Sequence, residues 1–262
     1  MARLSEHYFA EDAEPVSERE RLDMLAGFYG PWTQDWLTRR AGLKPGMVVM
    51  EAGAGSGAML RWFAQRVGHQ GDVLGLDRTL AHMGDLPPPV RLMEGDLYDP
   101  PAEPARFDLV YARLVLEHLP GPDRALARLA EWLRPGGMLA IASLDFADVK
   151  AVSGGPEGAR FDAGIAHIQS AIRDTGLVDP AFGRTLKDRF ERAGLTCVTE
   201  DVLERVSEGG SDWSRFLAAN NRVIGGMIGA DPAVVDSVCT LMETPGFQYT
   251  DQKVYGVTGR RS

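Results

Sequence analysis

Apolar and polar positions along the chain follow two alternating periods. Short β-compatible runs recur at Val48-Val49-Met50, Val73-Leu74-Gly75-Leu76-Asp77, Val90-Arg91-Leu92-Met93, Phe107 to Ala112 and Met138 to Ala142. Turn residues such as Lys44-Pro45-Gly46 and Pro87-Pro88-Pro89 bound them. Between the runs, apolar side chains return every three or four positions, which is the helical period. The run Ala58-Met59-Leu60-Arg61-Trp62-Phe63 predicts a helix that reaches Gly68, a plausible left-handed stop. The helix after the fourth strand carries Leu126, Leu129 and Leu133 and ends at Arg134-Pro135-Gly136-Gly137. Ahead of the first strand, Leu22, Leu25 and Phe28 form one stripe. Pro31 then opens a second helix with Trp32, Trp36 and Leu37, so residues 18–41 predict two helices.

From about residue 145 to 180 the alternation lapses. Phe161, Ile165, Ile168 and Ile172 still predict one amphipathic helix there. Phe182, Leu186 and Phe190 line a further helix, Cys197 and Val198 lie in a sixth strand, and Lys253 to Val257 form a seventh. Two helices fall between those last strands. One starts near Ser211, and the other has Asp231 as N-cap with Pro232 at its first position. Strands alternating with helices imply parallel βαβ units. The fold expected is α/β: a doubly wound, Rossmann-like, seven-stranded, mostly parallel sheet with a helical cap. Its divisions read as an N-terminal helical cap over 1–45, a nucleotide-binding core over 46–145 and an inserted lid region over 146–180. The segment 181–262 completes the sheet and carries cap helices at about 208–245.

Composition narrows the class. The 262 residues are 44% hydrophobic and 25% charged, in the range of a globular protein, and the formal net charge is −9. Phosphate contacts dominate nucleic-acid affinity, so an acidic total argues against an RNA or DNA partner. Cys197 and Cys239 are too few for a disulfide scaffold or a zinc site, and no metal is expected; both read as buried free thiols. The N-terminus lacks an apolar core like that of a signal peptide, and no apolar run approaches bilayer-spanning length. No membrane partner and a cytoplasmic location are therefore expected, and a homodimer is neither required nor excluded.

The chemistry concentrates where the strands end. Val48-Val49-Met50-Glu51-Ala52-Gly53-Ala54-Gly55-Ser56-Gly57 runs from a strand through a tight turn into a helix. Glycine suits such a turn because it reaches unusual φ/ψ cheaply and lets backbone approach a ligand. Several nucleotide binders share that pattern, and Gly53-x-Gly55-x-x-Ala58 also meets the relaxed dinucleotide fingerprint. Three further signals lie at the carboxyl ends of later strands, where open α/β sheets bind ligands. They are Asp77 with its neighbour Arg78, Gly95-Asp96-Leu97, and Ala112-Arg113. Asp77 suits two ribose hydroxyls, and Asp96 with the Leu97 amide suits an adenine edge. Glu51 ahead of the first glycine, the Gly95-Asp96 pair and the helical preface argue against a nicotinamide enzyme.

With these residues the chain resembles the class I S-adenosylmethionine-dependent methyltransferases. The resemblance rests on Glu51 to Gly57, Asp77, Gly95-Asp96-Leu97, and Phe107-Asp108-Leu109-Val110 followed by Glu117-His118-Leu119-Pro120. Leu133-Arg134-Pro135-Gly136-Gly137 and Phe190 to Leu195 also fit. It spans roughly residues 18–200 and looks closest to the quinone-biosynthesis-type and natural-product branch, which implies secondary metabolism. The resemblance implies S-adenosyl-L-methionine as cofactor, with Glu51 and Gly53, Ala54, Gly55 and Gly57 at its methionine part. Asp77 would take the ribose, Asp96 and Leu97 the adenine, and the Arg113 backbone the α-amino group.

On the acceptor side, His118 is the best candidate base because it follows the fourth strand. His167, on the inserted helix, is a second candidate. Tyr8, Trp32, Phe161 and Trp213 are candidate contacts for an aromatic or heteroaromatic acceptor. Asn220 interrupts the stripe of Trp213, Leu217, Ile224 and Met227, and a buried amide needs partners or a substrate group. The function expected is methyl transfer to oxygen, nitrogen or carbon of a small specialised metabolite. Two alternatives stay open: the same fold and cofactor serving decarboxylation or cyclisation, and a non-catalytic cofactor- or partner-binding module.

Overall fold

Pro31 sits inside one continuous helix rather than between two. In the computed structural model, which describes residues 18–98, 105–176 and 178–262, α1 (Glu18–Ala41) runs straight through it. A proline in a helix interior costs about 3 kcal/mol. Burial of Tyr29, Trp36 and Leu37 along the same helix stabilises it by roughly 1.5–3 kcal/mol per side chain, so packing prevails. Gly27, whose carbonyl loses its amide partner at Pro31, is exposed, so that carbonyl is open to solvent and not buried without a partner.

The chain then alternates as its pattern predicts. β1 (Val48–Ala52), α2 (Ala58–Val67), β2 (Asp72–Asp77), β3 (Val90–Glu94), β4 (Phe107–Arg113), α3 (Pro122–Glu131) and β5 (Leu133–Asp145) follow in order. After them come α4 (Gly155–Thr175), α5 (Leu186–Arg192), β6 (Thr196–Leu203), β7 (Val206–Glu208) and α6 (Asp212–Ile228). α7 (Pro232–Glu243), β8 (Gln248–Thr250) and β9 (Lys253–Arg260) complete the chain. Seven strands form one mixed, mostly parallel sheet in the order β3-β2-β1-β4-β5-β9-β6. β1 pairs in parallel with β2 and β4, and its inner residues Val49 and Met50 are fully buried, as a central parallel strand requires.

Leu133 belongs to β5, not to the preceding helix. It pairs with Phe107, and the register then jumps to Leu109–Met138, so Arg134 to Gly137 form an irregularity inside the strand. Asp108 anchors that region: one carboxylate oxygen accepts the Val48 amide at 2.7 Å and the other pairs with Arg134. Cys197 is exposed, whereas Cys239 is buried, so only one of the two thiols is a core residue.

The described residues divide into two compact units. One comprises 18–143, 185–201 and 255–262 and holds nearly all of the sheet together with α1. In it Trp32 and Trp36 stack with ring centroids 5.5 Å apart. They lie on Gly256 of β9, where a Cβ would come within 2.8 Å of both indoles. Arg39 and Arg40 at the end of α1 bind Asp201 of β6 at 3.1 and 2.7 Å.

The other unit comprises 144–184 and 202–254. Phe161, Ile165, Ile168 and Ile172 of α4 pack into a core with Val235, Val238 and Cys239 of α7. Gly164 permits the close approach of those helices, because a Cβ there would lie 2.3 Å from Val238 Cγ2. The Asp231 cap holds, its side chain accepting the Ala233 amide, and the helix expected to start near Ser211 is capped by that residue, which accepts the Ser214 amide. The antiparallel pair β7–β8 is an addition to the sequence reading. Among the described residues, no helix is long and apolar enough to cross a membrane.

Candidate functional site

The glycine turn after β1 is held from β2. The Gly53 and Ala54 amides donate to the Leu76 carbonyl at 2.8 and 3.2 Å, and the Gly55 amide donates to Asp77 Oδ2 at 2.7 Å. Gly53 has φ +74°, and a Cβ there would lie 2.3 Å from Val115 Cγ2. Gly57 caps α2 in the left-handed conformation. Leu22 of α1 stands 3.4 Å from the Cβ position of Gly55, and Leu86 stands 3.1 Å from that of Gly57. These three apolar side chains line the turn. The sequence reading missed them, because they come from a helix and two loops with no motif of their own.

The remaining rim signals converge on the same strand ends. Asp77 closes β2 opposite Glu94, and its second oxygen accepts the Thr79 amide at 3.3 Å. Arg78 beside it is exposed. The Gly95 amide donates to the Asp77 carbonyl at 2.9 Å, which ties the loop after β3 to the end of β2. Asp96 is exposed and holds its loop by accepting the Tyr98 amide at 2.8 Å, while Leu97 is buried. Arg113 ends β4 opposite Ala142 of β5.

Glu51 is the most unusual group on this rim. It is 4% exposed, and among the described residues its Oε2 makes no hydrogen bond. Burial pushes its carboxyl up to about 8; the Arg113 charge opposes that shift and the Asp77 charge adds to it. The Arg113 guanidinium donates to Thr33 Oγ1 of α1 at 3.3 Å, and Thr33 in turn donates to the Tyr29 carbonyl at 2.9 Å. Tyr111 is fully buried, and burial raises its phenol.

Beyond β4 the chain makes a short 3-10 turn over Leu116–His118. His118 is pushed down to about 4 by burial and by the Arg21 charge, so its imidazole is neutral at pH 7. Glu117 is buried and accepts the Ser143 hydroxyl at 2.9 Å.

The other expected acceptor contacts are divided between the two units. Trp32 is half-buried in the stack on Gly256, in the sheet unit. In the helical unit, Phe161 is fully buried between Phe247 and Tyr249, with ring centroids 5.2 and 5.3 Å away. Trp213 stacks on Phe216, and its indole N–H donates to the buried Asp251 at 2.7 Å. Both are core residues of that unit. Asn220 is half-buried, and Met227, expected on the same apolar stripe, is exposed. His167 Nε2 accepts the Asp231 amide at 3.2 Å, so the lone pair a base would use is already engaged. His167, Ser170 and Asp174 border a cavity of about 380 Å³ in this unit. Tyr8 lies outside the described residues. Among the described residues, no group of three or more His, Cys, Asp or Glu side chains could hold a metal ion.

Comparison with known proteins places this rim in context. The family model described as "Methyltransferase domain" matches residues 27–200. The chain is 36% identical over 147 residues to methyltransferase str2 of Strobilurus tenacellus, covering 55% of this chain and 51% of the relative. It is 29% identical over 185 residues to trans-aconitate 2-methyltransferase of Deinococcus radiodurans, covering 67% of this chain and 70% of the relative. It is also 31% identical over 137 residues to the ubiquinone/menaquinone biosynthesis C-methyltransferase of Bordetella avium, covering 48% and 51%. The matches to the two Strobilurus proteins span only 51% and 50% of those relatives' length. Among solved structures, the YcgJ protein of Bacillus subtilis superposes with TM-score 0.56 at 14% identity, over 88% of this chain and 98% of that one. The [4+2]-cyclase SpnF superposes with TM-score 0.52 at 19% identity, over 88% and 80%. At those identities the likeness is one of fold.

Proposed function

The chain belongs to the class I S-adenosylmethionine-dependent methyltransferases, and from that premise we propose that it transfers a methyl group from S-adenosyl-L-methionine to a small-molecule acceptor. The observation that carries the proposal is the buried Glu51 carboxyl, with one oxygen that makes no hydrogen bond among the described residues, beside a glycine turn and within the field of Asp77. That donor set fits the cofactor, which carries an amino-acid end with an ammonium and a carboxylate, a ribose and an adenine. When bound, the cofactor supplies an electrophilic methyl group on a sulfonium.

The rest is done by the chain's own residues. Gly53, Gly55 and Gly57 let backbone approach the ligand closely, with Ala54 between them. Asp77, beside Arg78, would accept from the ribose hydroxyls. Asp96 and the Leu97 amide would hold the adenine edge. Glu51 and the Arg113 backbone would receive the α-amino group. Positioning of this kind can supply roughly 7–11 kcal/mol of barrier reduction, more than the roughly 3–5 kcal/mol typical of a general base. His118 is the proposed acceptor of a proton from an ionisable nucleophile, because its imidazole is uncharged at pH 7.

The acceptor proposed is an aromatic or heteroaromatic specialised metabolite. The net charge of −9 disfavours nucleic acid, and relatives named for quinone biosynthesis and trans-aconitate support a small molecule. A second reading comes from the [4+2]-cyclase that shares the fold: the cofactor retained and another reaction run. Product analysis against an acceptor panel separates the two. S-adenosylhomocysteine rising in step with an acceptor mass gain of one methyl supports transfer. An acceptor transformed without either change supports the second reading.

A further inference from the structure

We propose that Arg19 and Arg61 form an anion site on the sheet unit, one that takes a tetrahedral oxyanion: free phosphate or the phosphate group of a small molecule. It shares no side chain with the glycine-turn rim and stands whatever ligand that rim takes.

Two helices and one loop bring the charges together. Arg19 lies near the start of α1, Arg61 near the start of α2, and Gly84 in the loop between β2 and β3. A Cβ on Gly84 would stand 2.8 Å from Arg19 Nη2 and 3.1 Å from Arg61 Nη2, so the two guanidinium tips converge on one point. Arg19 Nη1 lies 3.5 Å from the same point, so that guanidinium turns its outer edge toward it. All three residues belong to the sheet unit.

Among the described residues neither guanidinium hydrogen-bonds a carboxylate. Asp23 Oδ2 is 3.8 Å from Arg19 Nε, beyond hydrogen-bond distance, and Arg61 reaches the Ser56 and Asp85 carbonyls, both at the long distance of 3.4 Å. Elsewhere in the same unit Arg21, Arg39, Arg40 and Arg91 each donate to a carboxylate within 2.9 Å. Such a pair stands out in a chain of net charge −9. Like charges drawn to one point repel, and an anion held between them turns that repulsion into attraction. Geometry selects the anion. A planar carboxylate offers one pair of oxygens in one plane, which suits a single guanidinium fork. A tetrahedral oxyanion offers oxygen pairs on several edges and meets two forks at once. The Arg19 side chain is half exposed, so the anion reaches it from solvent.

Calorimetric titration of the full chain with sodium phosphate, at ionic strength held constant with sodium chloride, tests the site. The wild type should bind phosphate saturably and acetate more weakly. Arg19→Met and Arg61→Met should each weaken phosphate roughly 10- to 100-fold, the range of a lost charge-assisted bond. Arg19→Lys keeps the charge without the fork and should recover part of that loss. Arg160→Met removes the same charge from an exposed position on α4 and should leave phosphate affinity unchanged. Glycerol 3-phosphate binding more tightly than phosphate assigns the site to the phosphate group of a larger ligand, and the reverse order assigns it to the free anion. Arg61 also holds the loop at Asp85, so thermal melting in chloride checks each variant. Arg19→Met, at a half-exposed side chain, carries the test if Arg61→Met melts early. No saturable phosphate binding in the wild type overturns the site, as does acetate binding as tightly as phosphate. Unchanged affinity in Arg19→Met, or an equal loss in Arg160→Met, also overturns it, since any binding would then reflect overall charge.

Discussion

The Gly55 amide donates to Asp77 Oδ2 at 2.7 Å, so the carboxylate that ends β2 also holds the turn that follows β1. A residue expected to bind ribose is therefore also part of the frame of the glycine turn. Asp77→Ala removes both roles and should weaken S-adenosylhomocysteine by at least roughly tenfold, with a drop in Tm. Asp77→Asn keeps one oxygen for Gly55. It should recover most of the Tm and little of the affinity. Calorimetry and thermal melting on the two variants read the roles separately, and unchanged affinity in Asp77→Ala would remove the ribose assignment.

Gly53 should tolerate no side chain. Alanine there meets a left-handed backbone cost of about 1–2 kcal/mol, and its Cβ would lie 2.3 Å from Val115 Cγ2. Urea unfolding of Gly53→Ala should show a loss at least that large. Val115→Ala added to it should restore the steric part alone, since the backbone cost remains.

Two buried titrating groups on the rim should leave opposite marks on stability. Glu51 has its carboxyl raised from 4.5 to about 8, so the folded state binds the extra proton between those values. Its contribution is fully present below 4.5 and is lost as pH rises through about 8. His118 is lowered from 6.5 to about 4, so the unfolded chain binds the extra proton there. Its contribution is present above 6.5 and is lost as pH falls through about 4. Urea unfolding across pH should show Glu51→Gln removing a fall in stability between 4.5 and about 8, and His118→Asn removing a rise between about 4 and 6.5. A rate limb from His118 belongs near 4, so turnover should show no His118 limb near 6.5.

Trp213 should behave as a core residue of its unit. Its indole and the Ser207 hydroxyl donate to the buried Asp251 at 2.7 and 2.9 Å. Trp213→Phe keeps the ring and removes one donor from a carboxylate that burial already raises. The expected loss is about 1–3 kcal/mol in chemical unfolding, the range for a buried polar group left short of a partner. Loss of acceptor affinity with stability unchanged would return Trp213 to the acceptor site.

Much of this architecture is legible in the chain because its central strands are buried on both faces and read as unbroken apolar runs. The rim residues Asp77, Asp96 and Arg113 are legible too, since each follows such a run. What escapes has identifiable causes. Pro31 reads locally as a helix start, but Tyr29, Trp36 and Leu37 bury together and carry the helix through it. Leu133 continues the apolar spacing of α3, yet its partner Phe107 lies across the sheet. β7 and β8 are three-residue strands separated by two helices, so no hairpin signal joins them. Leu22, Leu86 and Val115 meet the glycine turn only through tertiary packing. Thr33 is the clearest case: one polar residue on a helix stripe, whose hydroxyl accepts the Arg113 guanidinium at the end of β4.

The central claim is that this rim is built for S-adenosyl-L-methionine and its product. Calorimetric titration of the full chain with S-adenosylhomocysteine tests it most directly, with a nicotinamide dinucleotide as control. One binding site per chain for S-adenosylhomocysteine, weakened in Asp77→Ala and absent for the dinucleotide, is the result predicted. Binding of the dinucleotide with no heat from S-adenosylhomocysteine would contradict it.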